Sequence, residues 1–176
     1  MSEIDEPIDG LTSSIVHQSS GQVFPTTIAA YGDLAPNQRA ALVRWRFDWS
    51  VEVARTGRDV VALLAGASDI VQGLMSMETA KGFILVHLLE SAPHNVGQNK
   101  LYRGIPGNLF AYASSRSFAL GFDGFVAFEA KTELIEHYKL SLGAEQVGSS
   151  SRMIIAMPSA LELVKQYFQE ADRWPL

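Results

Sequence analysis

Mixed α/β, a sheet with helices on its faces, is the fold class this sequence predicts, and three features predict it. Three short apolar runs with turn residues between them fill 59–91, the pattern of antiparallel neighbours. A helical stretch at 108–120 then separates two strands, the kind of crossover that makes strands parallel and is almost always right-handed. Apolar residues make up 47% of the 176 residues and charged ones 19%, enough for one core and one domain.

The elements follow in order. Residues 1–21 are polar, with Ser13, Ser14, Ser19, Ser20 and Gly21, and are expected to form a flexible arm ahead of a single domain at 22–176. The β-branched and aromatic run at 22–31 predicts a first strand, with Pro25 at its start or on an edge. Asp33-Leu34-Ala35-Pro36 reads as a helix start, and Ala41, Leu42, Trp45, Trp49 and Val53 at spacings of three and four predict one helix over 39–55. Its aromatics Trp45, Phe47 and Trp49 either pack on the sheet or line a cleft.

Strands are expected at 59–64, 70–77 and 83–91, then a polar loop at 92–107 and a helix at 108–120 stopped by Gly121. A strand at 125–130, a helix at 133–140, two short strands at 145–147 and 153–157 and a helix at 159–170 complete the chain. No internal repeat is visible.

Composition excludes several functions. Fourteen basic residues against 19 acidic ones give a net charge of −5, which argues against a nucleic-acid surface. The absence of cysteine removes disulfides, thiolate metal sites and cysteine nucleophiles. Four histidines without ligand spacing argue against a metal. No apolar run is long enough for a bilayer, and the acidic start is the reverse of a signal peptide, so the expectation is a cytoplasmic protein with no membrane association.

Chemistry concentrates at one predicted edge. By period-two alternation Glu90 ends a row with Ile84, Val86 and Leu88, where a partly desolvated carboxylate could accept a proton; it could equally reach solvent. The loop beyond Ser91 is longer than an ordinary strand–helix connection and ends with Gly104 and Gly107 at a helix start. Free N–H groups and the helix dipole there favour an anion, and Lys100 and Arg103 add charge. His137-Tyr138 falls at the same carboxyl edge, where a tyrosine can donate a proton to a leaving group or simply pack its ring. No Gly-Lys-Ser/Thr string occurs, and Ser114, Ser115 and Ser117 lie in a helix without a nucleophile elbow.

This order of elements resembles the Gcn5-related N-acetyltransferase (GNAT) superfamily over roughly residues 22–157. The resemblance is carried by Glu90-Ser91-Ala92-Pro93-His94-Asn95, Gly104-Ile105-Pro106-Gly107-Asn108-Leu109, Gly121-Phe122-Asp123-Gly124-Phe125, Lys131-Thr132, and His137-Tyr138 with Leu142-Gly143-Ala144. It implies six to seven mostly antiparallel strands around a central splayed parallel pair, with acetyl-coenzyme A (acetyl-CoA) between the strands ending near Ser91 and Ala130. The implied cofactor contacts are Ser91, Arg103, Gly104, Ile105, Gly107, Asn108 and Lys131. Against the family's Gln/Arg-x-x-Gly-x-Gly/Ala loop, aligned on Gly107, Gly104 takes the first place, Leu109 the last, and Arg103 lies one residue early.

The implied activity is direct transfer of an acetyl group from acetyl-CoA to a primary amine. In that scheme a backbone N–H near Ser91 polarises the thioester, Glu90 deprotonates the ammonium and Tyr138 protonates the thiolate. Tyr138 stands five residues before Gly143, one more than the family's usual spacing. The net negative charge mildly favours a cationic acceptor. Alternatives are a GNAT-fold binding or regulatory module without turnover, or a protein-interaction domain docking through Trp45, Phe47 and Trp49. Homodimer formation is left open.

Overall fold

The computed structural model describes residues 2–10 and 14–167. Ten strands and five α-helices are assigned among them. In chain order they are β1 (Ile15–His17), β2 (Val23–Phe24), β3 (Thr26–Ala30), α1 (Pro36–Ala41), α2 (Trp49–Ala54), β4 (Asp59–Ala65), β5 (Val71–Thr79), β6 (Ile84–Ser91), β7 (Tyr102–Arg103), α3 (Ile105–Ala119), β8 (Val126–Glu129), α4 (Ile135–Leu142), β9 (Glu145–Gln146), β10 (Arg152–Ile155) and α5 (Met157–Tyr167). Seven strands form one sheet in the order β3-β4-β5-β6-β8-β10-β9, antiparallel except for β6 and β8. The mixed sheet and its parallel pair agree with the sequence reading. The predicted end of the last helix, including Phe168, lies outside the described residues.

The sheet separates two cores. Leu109, Phe110 and Ala113 of α3, Tyr138 and Leu142 of α4 and Leu163 of α5 pack with Met75, Ile84, Val86, Val126 and Phe128 on one side. Leu34, Leu42 and Trp49 pack with Val60, Ala62, Leu74 and Leu88 on the other. A bulge decides which face Glu90 joins. Ser76 pairs with Leu88 but Met77 with Val86, leaving His87 as the extra residue. Ile84 and Val86 therefore face α3, whereas Leu88 belongs to the core beneath α1 and α2. The single apolar row expected to end at Glu90 is broken in the middle, because an inserted residue inverts the pleat beyond it.

The helix predicted over 39–55 is also broken. A 3-10 turn follows α1, Trp45 has extended backbone, and Asp48 caps α2 by accepting from the Ser50 amide at 3.1 Å. The freed amides of Arg46 and Phe47 donate to the Glu90 carboxylate, a tertiary contact that helical spacing cannot report.

The largest departure concerns the expected flexible arm. Ile4 and Ile15 are 1% and 0% exposed and Ile8 is buried, all within the main core. β1 pairs with β2 and with β7 in a small second sheet, and residues 4–10 run across the carboxyl edge of the large one. Burial of three isoleucines offsets the conformational entropy that would otherwise leave the stretch frayed. No helix among the described residues is long and apolar enough to cross a membrane.

Candidate active site

The parallel strands β6 and β8 pair only from Ile84–Val86 against Val126–Phe128. Beyond that, β6 follows β5 as far as the Gly73–Ser91 pairing while β8 follows β10, so a wedge opens between them. Both walls of a wedge carry backbone groups that the sheet leaves unpaired, and such groups need partners when buried. Residues 4–10 supply them. The Ile4 amide donates to Glu129 O at 2.7 Å and the Lys131 amide donates to Ile4 O at 2.9 Å, a parallel bridge that extends the β8 edge. On the other wall the Ser91 amide donates to Glu6 Oε1 at 3.0 Å.

The mouth of the wedge is the start of α3. Gly104 has φ of 94°, a left-handed conformation that glycine adopts without strain, and its amide donates to Asp9 Oδ1 at 2.9 Å. Lys100 Nζ lies 2.9 Å from Asp9 Oδ2, so the carboxylate is held by an amide and an ammonium together. A methyl group on Gly107 would overlap the Tyr167 hydroxyl, which donates to Gly10 O at 2.8 Å. At the start of α3, where the sequence suggested an anion would bind, the Gly104 amide and Lys100 hold the side chain of Asp9.

The remaining expected contacts divide. Ser91, Gly104 and Gly107 meet around segment 4–10, as does the backbone of Lys131, whose side chain is exposed. Ile105 is buried against Gly73. Asn108 is fully buried; its Nδ2 donates to Thr26 Oγ1 at 3.2 Å and its Oδ1 has no partner among the described residues. Arg103 is exposed and pairs with Val16 in the small sheet.

Tyr138 is 0% exposed, and its hydroxyl donates to Glu6 O at 2.8 Å with Ile4 O at 3.3 Å. Burial pushes the phenol pKa well above its ordinary range, and the Glu6 and Asp5 carboxylates push the same way. Next to it, His137 Nε2 accepts from the Ile8 amide at 2.7 Å. Desolvation also raises the Glu6 carboxyl above the ordinary 4.5; hydrogen bonds from Ser91 oppose this, and Asp5 and Glu90 add to it.

Glu90 is not placed as a base. Its Oε2 accepts from the Arg46 amide at 2.7 Å, and its Oε1 from the Phe47 amide at 3.1 Å and from Trp49 Nε1 at 2.9 Å. With three N–H donors on a 4%-exposed carboxylate, it clamps the turn between α1 and α2. Trp49 is correspondingly buried. Trp45, Arg46 and Phe47, together with Trp49, border a groove of about 420 Å³ with Tyr31 and Arg39.

Sequence reasoning missed Glu6, Asp9 and Tyr167. The available signal was the alternation Ile4, Glu6, Ile8, a period-two pattern too short to stand out in a polar stretch. Tyr167 falls in the last predicted helix, where nothing in the local sequence points to Gly107 or Gly10.

No protein-family model matches the chain, and no curated protein matches it. Solved structures do. A bacterial toxin superposes with a TM-score of 0.56 at 14% identity, covering 84% of this chain and 99% of its own. A complex of AtaT and AtaR bound to DNA gives 0.52 at 17% identity, over 78% of this chain and 98% of that one. A spermidine N-acetyltransferase, a chimera of SpeG from Vibrio cholerae and hSSAT, gives 0.50 at 14% identity, over 78% and 98%. The chain has the GNAT fold.

Proposed function

We propose that this GNAT-fold chain is an acyltransferase that uses acetyl-CoA to acetylate a primary amine. One observation carries the reading: the β6/β8 wedge and the start of α3 present amides, at Ser91 and Gly104, that already hold carboxylate oxygens. Donors that hold carboxylates also suit a thioester carbonyl and a diphosphate, so the residues present fit the co-substrate.

Ser91 N–H would hold the thioester oxygen and stabilise charge developing on it. Gly104 N–H and Lys100 would hold the diphosphate, with Gly107 giving the backbone close approach. The bound thioester supplies the acetyl group. Tyr138, kept protonated by its buried setting, would give its proton to the departing sulfur. The ammonium gives one proton to water and attacks as the free amine, and its nitrogen forms the amide bond and releases a second proton. The carbon–sulfur bond breaks, Tyr138 protonates the sulfur so that it leaves as the thiol, and the proton released by the nitrogen restores the phenol. Glu90 contributes by fixing the Arg46–Phe47 turn beside the groove where an acceptor could approach.

The test is acetyl-CoA titration by calorimetry, with free-thiol release and product mass followed across a panel of primary amines. Amine-dependent thiol release with a matching acetylated product supports the reading. Binding without release across the panel would instead favour a module that binds the nucleotide without turnover. Absence of binding, with residues 4–10 shown to be displaced, would reject it.

A further inference from the structure

We propose that residues 4–10 are an intrasteric plug: an acidic extended segment that occupies the acyl-CoA cleft and must leave it before the co-substrate can bind. The proposal rests on the acyltransferase reading above and adds a regulated, closed resting state to it.

The argument is positional. Glu6 engages both atoms to which that reading assigns chemistry, since its side chain accepts from the Ser91 amide and its carbonyl accepts from the Tyr138 hydroxyl. Asp9 meets the amide and the ammonium assigned to the diphosphate. Ile4 makes a parallel bridge to the β8 edge where the wedge opens, and Tyr167 closes over Gly107 while bonding to Gly10 O. One heptapeptide therefore satisfies the thioester position, the leaving-group position and the anion position together. Ligand and segment cannot share these atoms, so binding is mutually exclusive.

The segment is also held in a way that allows release. Its anchors are a few backbone bonds, the three carboxylates of Asp5, Glu6 and Asp9 and two isoleucines, and Glu6 is desolvated between Asp5 and Glu90, both acidic. Arg46 ties Asp5 at 2.8 Å from the α1–α2 turn, so the plug is fastened to the turn that Glu90 clamps. A change in the acceptor groove would therefore be felt by the plug.

When the binding-competent state is only a fraction of the population, the apparent affinity falls by that fraction. Replacing the two carboxylates that occupy the cleft donors, Glu6→Ala with Asp9→Ala, leaves only Asp5 as an acidic anchor and keeps Ser91, Gly104, Lys100 and Tyr138 in place. The double variant is expected to bind acetyl-CoA about tenfold tighter or more than the native chain. In the native chain, acetyl-CoA should accelerate hydrogen exchange at the Ile4 and Ile8 amides. A synthetic peptide of residues 2–10 should compete with acetyl-CoA on the double variant, and the same peptide with both acids changed to alanine should compete less. Should the double variant fail to fold, the exchange measurement on the native chain decides alone.

Equal affinities in native and variant chains, with Ile4 and Ile8 still protected when acetyl-CoA is bound, would overturn the plug and leave the acyltransferase reading standing. No binding by either chain, although exchange shows the variant's segment released, would overturn the acyltransferase reading and the plug with it.

Discussion

Tyr138→Phe separates a buried anchor from a group that acts only as an acid. The substitution removes one oxygen and leaves the ring among Phe110 and Phe128, whose centroids lie 6.3 and 5.2 Å away. A hydroxyl has one proton, and the shorter of its two contacts is to Glu6 O at 2.8 Å. Ile4 O, at 3.3 Å, keeps the Lys131 amide as a donor. The loss is thus one hydrogen bond from a buried hydroxyl to a part-buried backbone carbonyl, a cost of about 1–3 kcal/mol. At about 2 kcal/mol, a chain of this size loses about 4–8 °C in Tm. Calorimetric melting and urea unfolding of the two proteins measure it, and exchange at Ile4 and Ile8 should rise in the variant. An unchanged Tm, with those amides still protected, would refute the hydroxyl's role as an anchor of the segment.

Three further outcomes follow from the same geometry. Glu90→Gln turns an amide N–H₂ toward one of three N–H donors, so urea unfolding should show a loss of about 1–3 kcal/mol, and near-ultraviolet circular dichroism should report a changed Trp49 environment. Gly107→Ala must drive the Tyr167 hydroxyl away from Gly10 O, and overpacking there should cost about 1–3 kcal/mol in denaturant unfolding. Because desolvation raises the Glu6 pKa above 4.5, the folded chain holds that proton more tightly than the released segment does. Its stabilising share is complete below the unfolded value and fades as pH rises through the raised one. The Tm of Glu6→Gln should therefore gain on that of the native chain as pH rises, and a pH-independent difference would contradict this.

The β4-β5-β6 meander was legible because its two connections are local: Gly66-Ala67-Ser68-Asp69 and Ala80-Lys81-Gly82 are turn signals between runs of the right length. The start of α3 was legible for a similar reason, although Ile105-Pro106-Gly107 already belongs to the helix, with proline in its first turn where no N–H is missed. What stayed hidden depends on partners distant in sequence. The break between α1 and α2 is made by Glu90, more than 40 residues away. The strand-like insertion of residues 4–10 depends on edges supplied by β8 and on donors from β6 and α3. An added strand gains its stability from backbone pairing with a pre-existing edge, and such pairing leaves little mark on composition.

The same distant contacts explain how an unusual anion loop can persist. Its expected cationic side chain, Arg103, sits exposed in the small sheet, and the last glycine or alanine place is Leu109, which is buried in the core. In the proposed site, recognition would fall on backbone amides and Lys100, the groups that Asp9 engages. Amides bind any suitably placed oxygen, whether carboxylate or phosphate, because the attraction depends on charge and direction rather than on the atom behind the oxygen. A loop with a matched arginine fork would prefer a diphosphate over a lone carboxylate, since two parallel N–H donors reward a bidentate anion. Without such a fork, the proposed nucleotide would have less advantage over the protein's own acid. Restoring a cation by Leu101→Arg, at an exposed position beside Lys100, should shift the balance back, raising acetyl-CoA affinity more in the native chain than in the Glu6→Ala, Asp9→Ala variant. Equal gains in both would mean that the segment and the nucleotide do not compete for this loop.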